Sequence, residues 1–251
     1  MNIVIIGTGN VATNLTSSFS KSNVKISQLF GRNKEAVKKN AKKFNIASWV
    51  SDYNKITSNA DAYIIAVSDD SINEVSKKKE LKNKLIIHTS GTKSIEEIQS
   101  DKKGVLYPVQ TMKKDKLIDF NSVPICIESN DLVSLNLIRY LANILSENVQ
   151  EINSHQRKII HLAAVIVNNF SNHMFFLGKR ILEKEKLSFD ILKPLISYTC
   201  ENALENPEKS QTGPSIRRDK TTIKEHLEVL NTNNDLRELY KFISESIEKH
   251  G

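Results

Sequence analysis

Residues suited to binding a diphosphate stand at the start of the chain. An apolar run at residues 3–6 is followed by Gly7-Thr8-Gly9-Asn10-Val11-Ala12, where a helical pattern begins. Gly7 allows a tight turn, Gly9 has no Cβ to obstruct a pyrophosphate, and Ala12 lets the helix pack closely on the strand. The helix N-terminus adds unpaired N–H groups and a partial positive charge. This spacing predicts a dinucleotide site contacted by residues 7–11, and the alternative is a tight turn without a ligand.

The end of the second predicted strand indicates which nicotinamide cofactor is preferred. A carboxylate there would hold the ribose hydroxyls of NAD, but the chain has Gly31-Arg32-Asn33-Lys34 and no acidic residue before Glu35. The guanidinium of Arg32 can pair with a 2′-phosphate and stack on adenine, and Lys34 could assist it. We therefore expect NADP rather than NAD. The alternative is an exposed arginine at a helix start.

Polar residues also follow three later predicted strands. Ligands bind beyond the carboxyl ends of parallel strands, so we expect Val67, Ser68, Asp69 and Thr89 to line the cofactor groove. A Ser–Gly turn can present a hydroxyl and N–H groups to a nicotinamide or a substrate oxygen, which makes Ser90 a candidate catalytic residue. Gln110 is a candidate substrate contact. We interpret His88, at a buried strand end, as a hydrogen-bonded core histidine.

An apolar helical segment that begins at Ser154 carries several amides and imidazoles. On an α-helix, His161, Asn168 and Asn172 would fall within about 40° of one another, with Asn169 and His173 to one side. Intervening alanines predict that this stripe is buried, where it would need a ligand or a polar network between helices. The ordinary imidazole pKa of about 6.5 suits proton transfer near neutrality. His161 is therefore the candidate acid/base, Asn168 and Asn169 would orient the reacting group, and His173 is a further substrate contact.

A glycine-containing turn at residues 211–219 separates two later helical segments. It holds Arg217, which could pair with an anionic substrate group such as a carboxylate, and Thr212, a second candidate contact. Asp219 is placed to cap the next helix or to hold Arg217. The alternative is a surface turn with solvated arginines.

Composition indicates an ordinary globular chain. Its 251 residues are 39% hydrophobic and 26% charged, and no apolar run reaches the roughly 18–20 residues of a membrane span. We expect no secretory signal, and Cys126 and Cys200 cannot supply a disulfide framework or a structural zinc site. We therefore expect a cytoplasmic protein with no metal and no membrane partner. The net charge of +7 comes from dispersed lysine runs, which favour a solvated surface over nucleic-acid binding.

The pattern of strands and helices changes near residue 150. Strand signals alternate with helical ones in the first part, which predicts a mostly parallel sheet, whereas the second part is helical. The fold class is therefore α/β, with a dinucleotide-binding domain at 1–150 and an all-helical domain at 151–251. The predicted strands cover 3–6, 24–30, 47–50, 62–67, 85–89, 105–109 and 123–127, and the predicted helices cover 10–20, 34–44, 154–185, 188–206, 220–231 and 234–248.

Taken together, these segments resemble bacterial NADP oxidoreductases in which a Rossmann-like domain precedes a helical domain of unknown function. The wider group includes 6-phosphogluconate, prephenate, ketopantoate and pyrroline-5-carboxylate enzymes. The resemblance implies a Rossmann-type domain at 1–150, a helical substrate domain at 151–251, and a homodimer formed through the helices. Tyr107 departs from the prephenate dehydrogenase pattern, which has histidine before proline, and Arg218 stands where the family pattern has glycine. The matching segments are 7–12, 31–32, 88–91, 107–111, 161–173, 211–214, Arg217 and Asp219.

The sequence supports one leading hypothesis and two alternatives. The first is an NADP-dependent reductase or dehydrogenase of a small anionic metabolite, with its site between the two domains. An alternative is an NADP-binding regulator or sensor that transfers no hydride. A nucleic-acid-binding protein is the third, and it would show steeply salt-dependent binding.

Overall fold

The first part of the chain forms a mixed eight-stranded sheet. The structure is a computed structural model that describes residues 1–250, and it has two compact units, Met1–Ser171 and a second that begins at Asn172. The strand order is β3-β2-β1-β4-β5-β6-β7-β8, and all neighbouring pairs are parallel except β6 with β7. This confirms the predicted α/β class. The strands are β1 Asn2–Ile6, β2 Lys25–Phe30, β3 Trp49–Val50, β4 Ala62–Ile65, β5 Leu85–His88, β6 Lys102–Pro108, β7 Ile125–Ser129 and β8 Val149–Glu151.

Helices cover both faces of this sheet. Alternate residues of β1 pack into two separate cores: Ile3 and Ile5 into one with α1 and α4, and Val4 and Ile6 into the other with α3. All four side chains have no exposed surface, as expected of strands in a parallel sheet covered on both sides. The helices of this unit are α1 Asn10–Phe19, α2 Lys34–Lys43, α3 Ile72–Ser76, α4 Leu132–Leu145 and α5 Ser154–Ala164.

The second unit is helical. A π-helical segment, Val165–Phe170, leads from α5 into α6 at the unit boundary. By length and composition alone, the continuous helical stretch Ser154–Lys184 could cross a membrane; a single helix of this kind is weak evidence, because helices of soluble proteins pass the same test. The remaining helices are α6 Ser171–Lys184, α7 Lys193–Glu205, α8 Lys220–Val229 and α9 Asn234–His250.

The compact units divide later than residue 150. α5 belongs to the first unit because Arg157, near its start, is buried against the segment after β5. The compact units do not test whether residues 151–251 form the domain that binds the substrate. That assignment stays a prediction.

Candidate functional site

A groove opens at the carboxyl ends of β1, β2, β4, β5 and β6. Its volume is about 610 Å³, within the range of 300–1,000 Å³ typical of ligand sites. All ten residues predicted to bind the cofactor line it, and so do the predicted catalytic residues Ser90 and His161. The cofactor set is Gly7, Thr8, Gly9, Asn10, Val11, Arg32, Val67, Ser68, Asp69 and Thr89.

The glycine turn after β1 is built for a close approach of ligand to backbone. Gly7 has φ +135°, and a Cβ there would lie 2.2 Å from the Ala66 carbonyl oxygen. A Cβ on Gly9 would meet only that oxygen, at 4.0 Å, and so would point into open space. Gly9 is also the N-cap of α1, whose first-turn N–H groups have no side-chain cap. These N–H groups are available to an anion such as a pyrophosphate.

Arg32, at the end of β2, marks one end of the groove. Asn33 beside it caps α2 by accepting a hydrogen bond from the Ala36 N–H. Tyr53 also lines this end and stacks on Phe30 with 4.2 Å between the ring centroids. Burial raises the pKa of the Tyr53 phenol, against the opposing charges of Arg32 and Lys78. Sequence reasoning missed Tyr53, because it sits in a short helical turn with no motif.

Replacing Arg32 with Gln is expected to weaken NADPH binding about 10–100-fold and to leave NADH binding unchanged. A hydrogen-bonded charge pair with the 2′-phosphate accounts for a loss of this size. Lys39→Gln, an exposed lysine on α2 that does not line the groove, is the matched control and should change neither affinity. Calorimetric titration with both cofactors measures the effect, and an equal loss for NADPH and NADH would contradict it.

The turn after β5 brings Asp69 and Ser90 together. The Ser90 hydroxyl donates to Asp69 Oδ2 at 2.8 Å and accepts hydrogen bonds from the N–H groups of Thr92 and Lys93. Thr92 donates to the same carboxylate oxygen at 2.5 Å. The Ser90 proton is therefore directed at Asp69, and the hydroxyl organises the turn. A catalytic role for Ser90 stays a prediction.

Tyr107 and His161 meet in the groove beside this turn. The Tyr107 hydroxyl lies 3.2 Å from His161 Nδ1, and burial raises the pKa of the phenol. Gly91 packs directly on both: a Cβ there would lie 2.6 Å from His161 Nδ1 and 2.8 Å from Tyr107 Cζ. Sequence reasoning placed Tyr107 at a strand end but did not pair it with His161, because 54 residues separate them.

The sheet order separates this pair from Arg32. β2 and β6 lie four strand spacings apart, or about 19 Å. An extended dinucleotide can span that distance. Arg32 and Tyr53 therefore lie at one end of the groove, where we expect the adenosine. Gly91, Tyr107 and His161 lie at the other end, where we expect the nicotinamide.

His88, at the end of β5, is a fully buried core histidine. Its Nδ1 accepts a hydrogen bond from the Ser90 N–H at 3.1 Å, and its Nε2 has no partner among the described residues. Burial, helped by the charge of Arg157, lowers the pKa of His88 to about 4.

This lowered pKa of His88 predicts a loss of stability in acid. The unfolded chain takes up the proton below pH 6.5 and the folded chain only near pH 4, so the unfolding free energy falls as pH drops through that window. At pH 5 the loss from this group is about 2 kcal/mol. Urea unfolding at pH 7 and pH 5 measures it, with His88→Asn as the non-titrating control that keeps an acceptor for Ser90. If both proteins lose the same free energy, His88 is not the cause.

The polar stripe predicted along the helix after Ser154 is not buried, and that expectation was wrong. Asn168, Asn169, Asn172 and His173 are all exposed. The prediction assumed that other elements of the same chain would cover this helix, but no residue of the π-helical segment Val165–Phe170 or of α6 is buried. Asn168 instead donates to the Thr111 hydroxyl at 2.7 Å, beyond the end of β6.

The other predicted substrate contacts do not line the groove. Gln110 is exposed after β6, and its side chain accepts a hydrogen bond from the Thr111 N–H. Asn169 is exposed in the π-helical segment, and its side-chain oxygen lies 3.5 Å from the Asn168 amide nitrogen. Their substrate roles stay predictions.

Three predicted substrate residues lie in the second unit. Thr212 lines a cavity of about 380 Å³ within that unit, His173 stacks on Phe176, and Arg217 is exposed. Asp219 caps α8 by accepting hydrogen bonds from Thr222, as predicted, and these bonds lower its pKa.

Among residues 1–250, no group of three or more potential ligands could hold a metal ion.

Comparison with known proteins agrees with this geometry. Residues 2–91 match the family described as "NADP oxidoreductase coenzyme F420-dependent", and residues 123–247 match "Domain of unknown function (DUF2520)". No curated protein sequence matches the chain.

Solved structures match nearly the whole length. A candidate NADP oxidoreductase from Bacteroides fragilis is 32% identical, with 99% of this chain and 98% of that chain covered and a TM-score of 0.88. A protein from Thermotoga maritima is 20% identical, with 98% and 97% covered and a TM-score of 0.73. An imine reductase from Myxococcus stipitatus, in complex with NADP+, is 13% identical, with 99% and 92% covered and a TM-score of 0.66. The chain belongs to the family of NADP oxidoreductases that join an NADP-binding Rossmann domain to the helical DUF2520 domain, and its cofactor is NADP.

Proposed function

We propose that this protein is an NADPH-dependent reductase, or the reverse dehydrogenase, acting on the carbonyl or imine of a small anionic metabolite. The observation that carries the proposal is the Tyr107–His161 pair, which lines the same groove as the dinucleotide turn. A reduction needs a proton donor beside the nicotinamide, and this pair supplies one.

The proposed chemistry gives each group one task. NADPH, when bound, supplies the hydride to the carbonyl or imine carbon. His161 donates a proton to the oxygen or nitrogen of the substrate, and the Tyr107 hydroxyl, bonded to Nδ1, fixes the orientation of the imidazole ring. Asn168 and Ser90 are proposed to orient the reacting group.

We propose that five residues contact the substrate: Gln110, Asn169, His173, Thr212 and Arg217. Arg217 is assigned to a carboxylate because a guanidinium pairs with it bidentately. The names of two relatives support a substrate that carries an imine or a carboxylate. One is the imine reductase, and the other is a pyrroline-5-carboxylate reductase from Coxiella burnetii, which has the same fold at 17% identity and a TM-score of 0.52.

NADPH oxidation with a panel of small imines and 2-oxo acids tests the proposal. We expect turnover with at least one carboxylate-bearing compound and at least tenfold slower turnover with its neutral methyl ester. Tight NADPH binding with no oxidation by any compound would contradict the proposal and favour the sensor alternative, which keeps the groove without hydride transfer.

We also propose a homodimer in the cytoplasm. Eight large apolar side chains are exposed along α5, the π-helical segment and α6, and exposed apolar surface of this kind favours a protein partner: Ile159, Leu162, Ile166, Val167, Phe170, Phe175, Phe176 and Ile181. A second copy would cover this surface, and that role would account for the apolar composition of the Ser154–Lys184 helical stretch without a membrane. Light scattering on wild type and Val167→Glu tests it; a wild-type monomer at micromolar concentration would contradict it.

A further inference from the structure

Arg157, on α5, is one of the largest fully buried side chains of the chain, with 1% of its surface exposed. Its Nε donates to the Ser90 carbonyl oxygen at 3.1 Å, and one terminal nitrogen donates to the Lys93 carbonyl oxygen at 2.6 Å. The other terminal nitrogen pairs with the Glu128 carboxylate. The Arg157 guanidinium is therefore hydrogen-bonded to both ends of the turn that follows β5, at Ser90 and at Lys93.

Ser154, at the start of α5, closes the network around Arg157. Its N–H and hydroxyl donate to Glu128 Oε1 at 2.9 and 3.0 Å. The same hydroxyl accepts hydrogen bonds from Arg157 at 3.1 Å and from the Ile95 N–H at 3.0 Å. The network thus joins the end of β7, the turn after β5 and the first turn of α5.

Stability alone is a weak explanation for this network. Desolvation offsets most of the attraction in a buried ion pair, so apolar side chains of similar volume often stabilise a fold as well. What the network does provide is a fixed geometry between the turn and the helix.

That geometry bears directly on the nicotinamide end of the groove. Arg157 and His161 are four residues apart on α5 and therefore share one face of the helix. Ser90 is bonded to Arg157, while the next residue, Gly91, packs against His161. Adjacent residues of the loop after β5, Ser90 and Gly91, therefore contact α5 at Arg157 and at His161, one helical turn apart.

We propose that Arg157, paired with Glu128, is a positioning residue that sets the spacing between the Ser90–Gly91 turn and His161, and so shapes the subsite for the nicotinamide ring. The inference rests on the proposed function for the importance of His161, but its effect on cofactor binding does not require a substrate.

Two ligands that share one end of the groove test this role. NADPH fills both ends, whereas 2′,5′-ADP fills only the end marked by Arg32. For Arg157→Met we expect NADPH binding to weaken about tenfold and 2′,5′-ADP binding to stay within about twofold of wild type. Arg157→Lys keeps the charge beside Glu128 but cannot grip both carbonyls, so we expect an intermediate loss. Calorimetry well below the unfolding temperature of each variant measures both ligands.

Controls separate positioning from general destabilisation. Arg139→Met removes an exposed ion pair with Glu151 and should change neither affinity. The nuclear magnetic resonance signal of the His161 ring should shift in Arg157→Met and not in Arg139→Met. A fall in unfolding temperature with unchanged affinity for both ligands, or an equal loss for both, would overturn the proposal.

Ser154→Ala keeps the test available if Arg157→Met does not fold. It removes only the shared hydroxyl, and we expect about a threefold loss for NADPH and none for 2′,5′-ADP. Unchanged NADPH affinity in this variant would overturn the proposal. These experiments measure ligand affinity and the resonance of the His161 ring, and none of them requires turnover. A failure to find turnover would therefore count against the proposed function and not against this inference.

Discussion

Gly7→Ala is expected to lower the free energy of unfolding by about 3–5 kcal/mol, combining a strained backbone with an overpacked contact. The φ of +135° at this position is one that residues with a side chain rarely adopt, and the new Cβ would lie 2.2 Å from the Ala66 carbonyl oxygen. That oxygen belongs to the backbone directly after β4, so it cannot move aside without disturbing the sheet. Urea unfolding followed by circular dichroism measures the loss.

Gly9→Ala is the matched control, since it adds the same methyl group two residues later. Its backbone is extended, with φ −75°, and the Cβ has only one neighbour, at 4.0 Å. We therefore expect stability within about 1 kcal/mol of wild type. The added methyl group occupies the space proposed for the pyrophosphate, so NADPH affinity should fall about a hundredfold.

The two variants separate two reasons for glycine in this turn: residue 7 must be glycine for the fold, and residue 9 must be glycine for the ligand to approach the backbone. Equal stability of Gly7→Ala and Gly9→Ala would show that the turn tolerates a side chain at residue 7. Full NADPH affinity in Gly9→Ala would show that the pyrophosphate does not approach this backbone.

The cofactor half of the site could be predicted because its signals are local. The turn, the strand before it and the helix after it are consecutive, so residue types and spacing specify the geometry directly. The same holds for Arg32, which follows the next strand in a position set by the sheet. The other four residues follow from the rule that ligands bind beyond the carboxyl ends of parallel strands, and all ten line one groove.

Contacts between distant segments left no such signal. Tyr107 pairs with His161, and Arg157 with Glu128, only because α5 packs against β6 and β7 in the folded first unit. β8 was missed because Val149–Glu151 is short and mostly polar, and β6 begins at Lys102, in a lysine run interpreted as solvated surface. The π-helical segment could not be predicted from the sequence, because no residue type is specific for the insertion of one extra residue into a turn of an α-helix.

One departure from the family pattern acquires a physical meaning in the structure. Arg218 stands where the pattern has glycine, and its φ is +54°, in the region that favours glycine. A residue with a side chain in this backbone conformation costs about 1 kcal/mol relative to glycine.

His161→Asn is expected to slow hydride-coupled turnover by about 10²–10⁴-fold, the usual contribution of a positioned acid or base. The asparagine amide can occupy the place of Nδ1 and keep a hydrogen bond to Tyr107, but it cannot donate a proton near neutral pH. NADPH affinity should change less than threefold, because the cofactor turn is intact. Stopped-flow oxidation of NADPH with the best compound of the imine and 2-oxo acid panel measures the rate.

Tyr107→Phe distinguishes proton transfer from orientation of the ring. This variant keeps the imidazole but removes the partner 3.2 Å from Nδ1, so we expect a smaller loss of rate, about tenfold. Partial burial raises the pKa of the Tyr107 phenol, so the phenol stays protonated near neutral pH and acts as a fixed hydrogen-bonding group beside the imidazole. Wild-type turnover in His161→Asn would exclude the imidazole as proton donor, and a larger loss in Tyr107→Phe than in His161→Asn would move that role to the phenol.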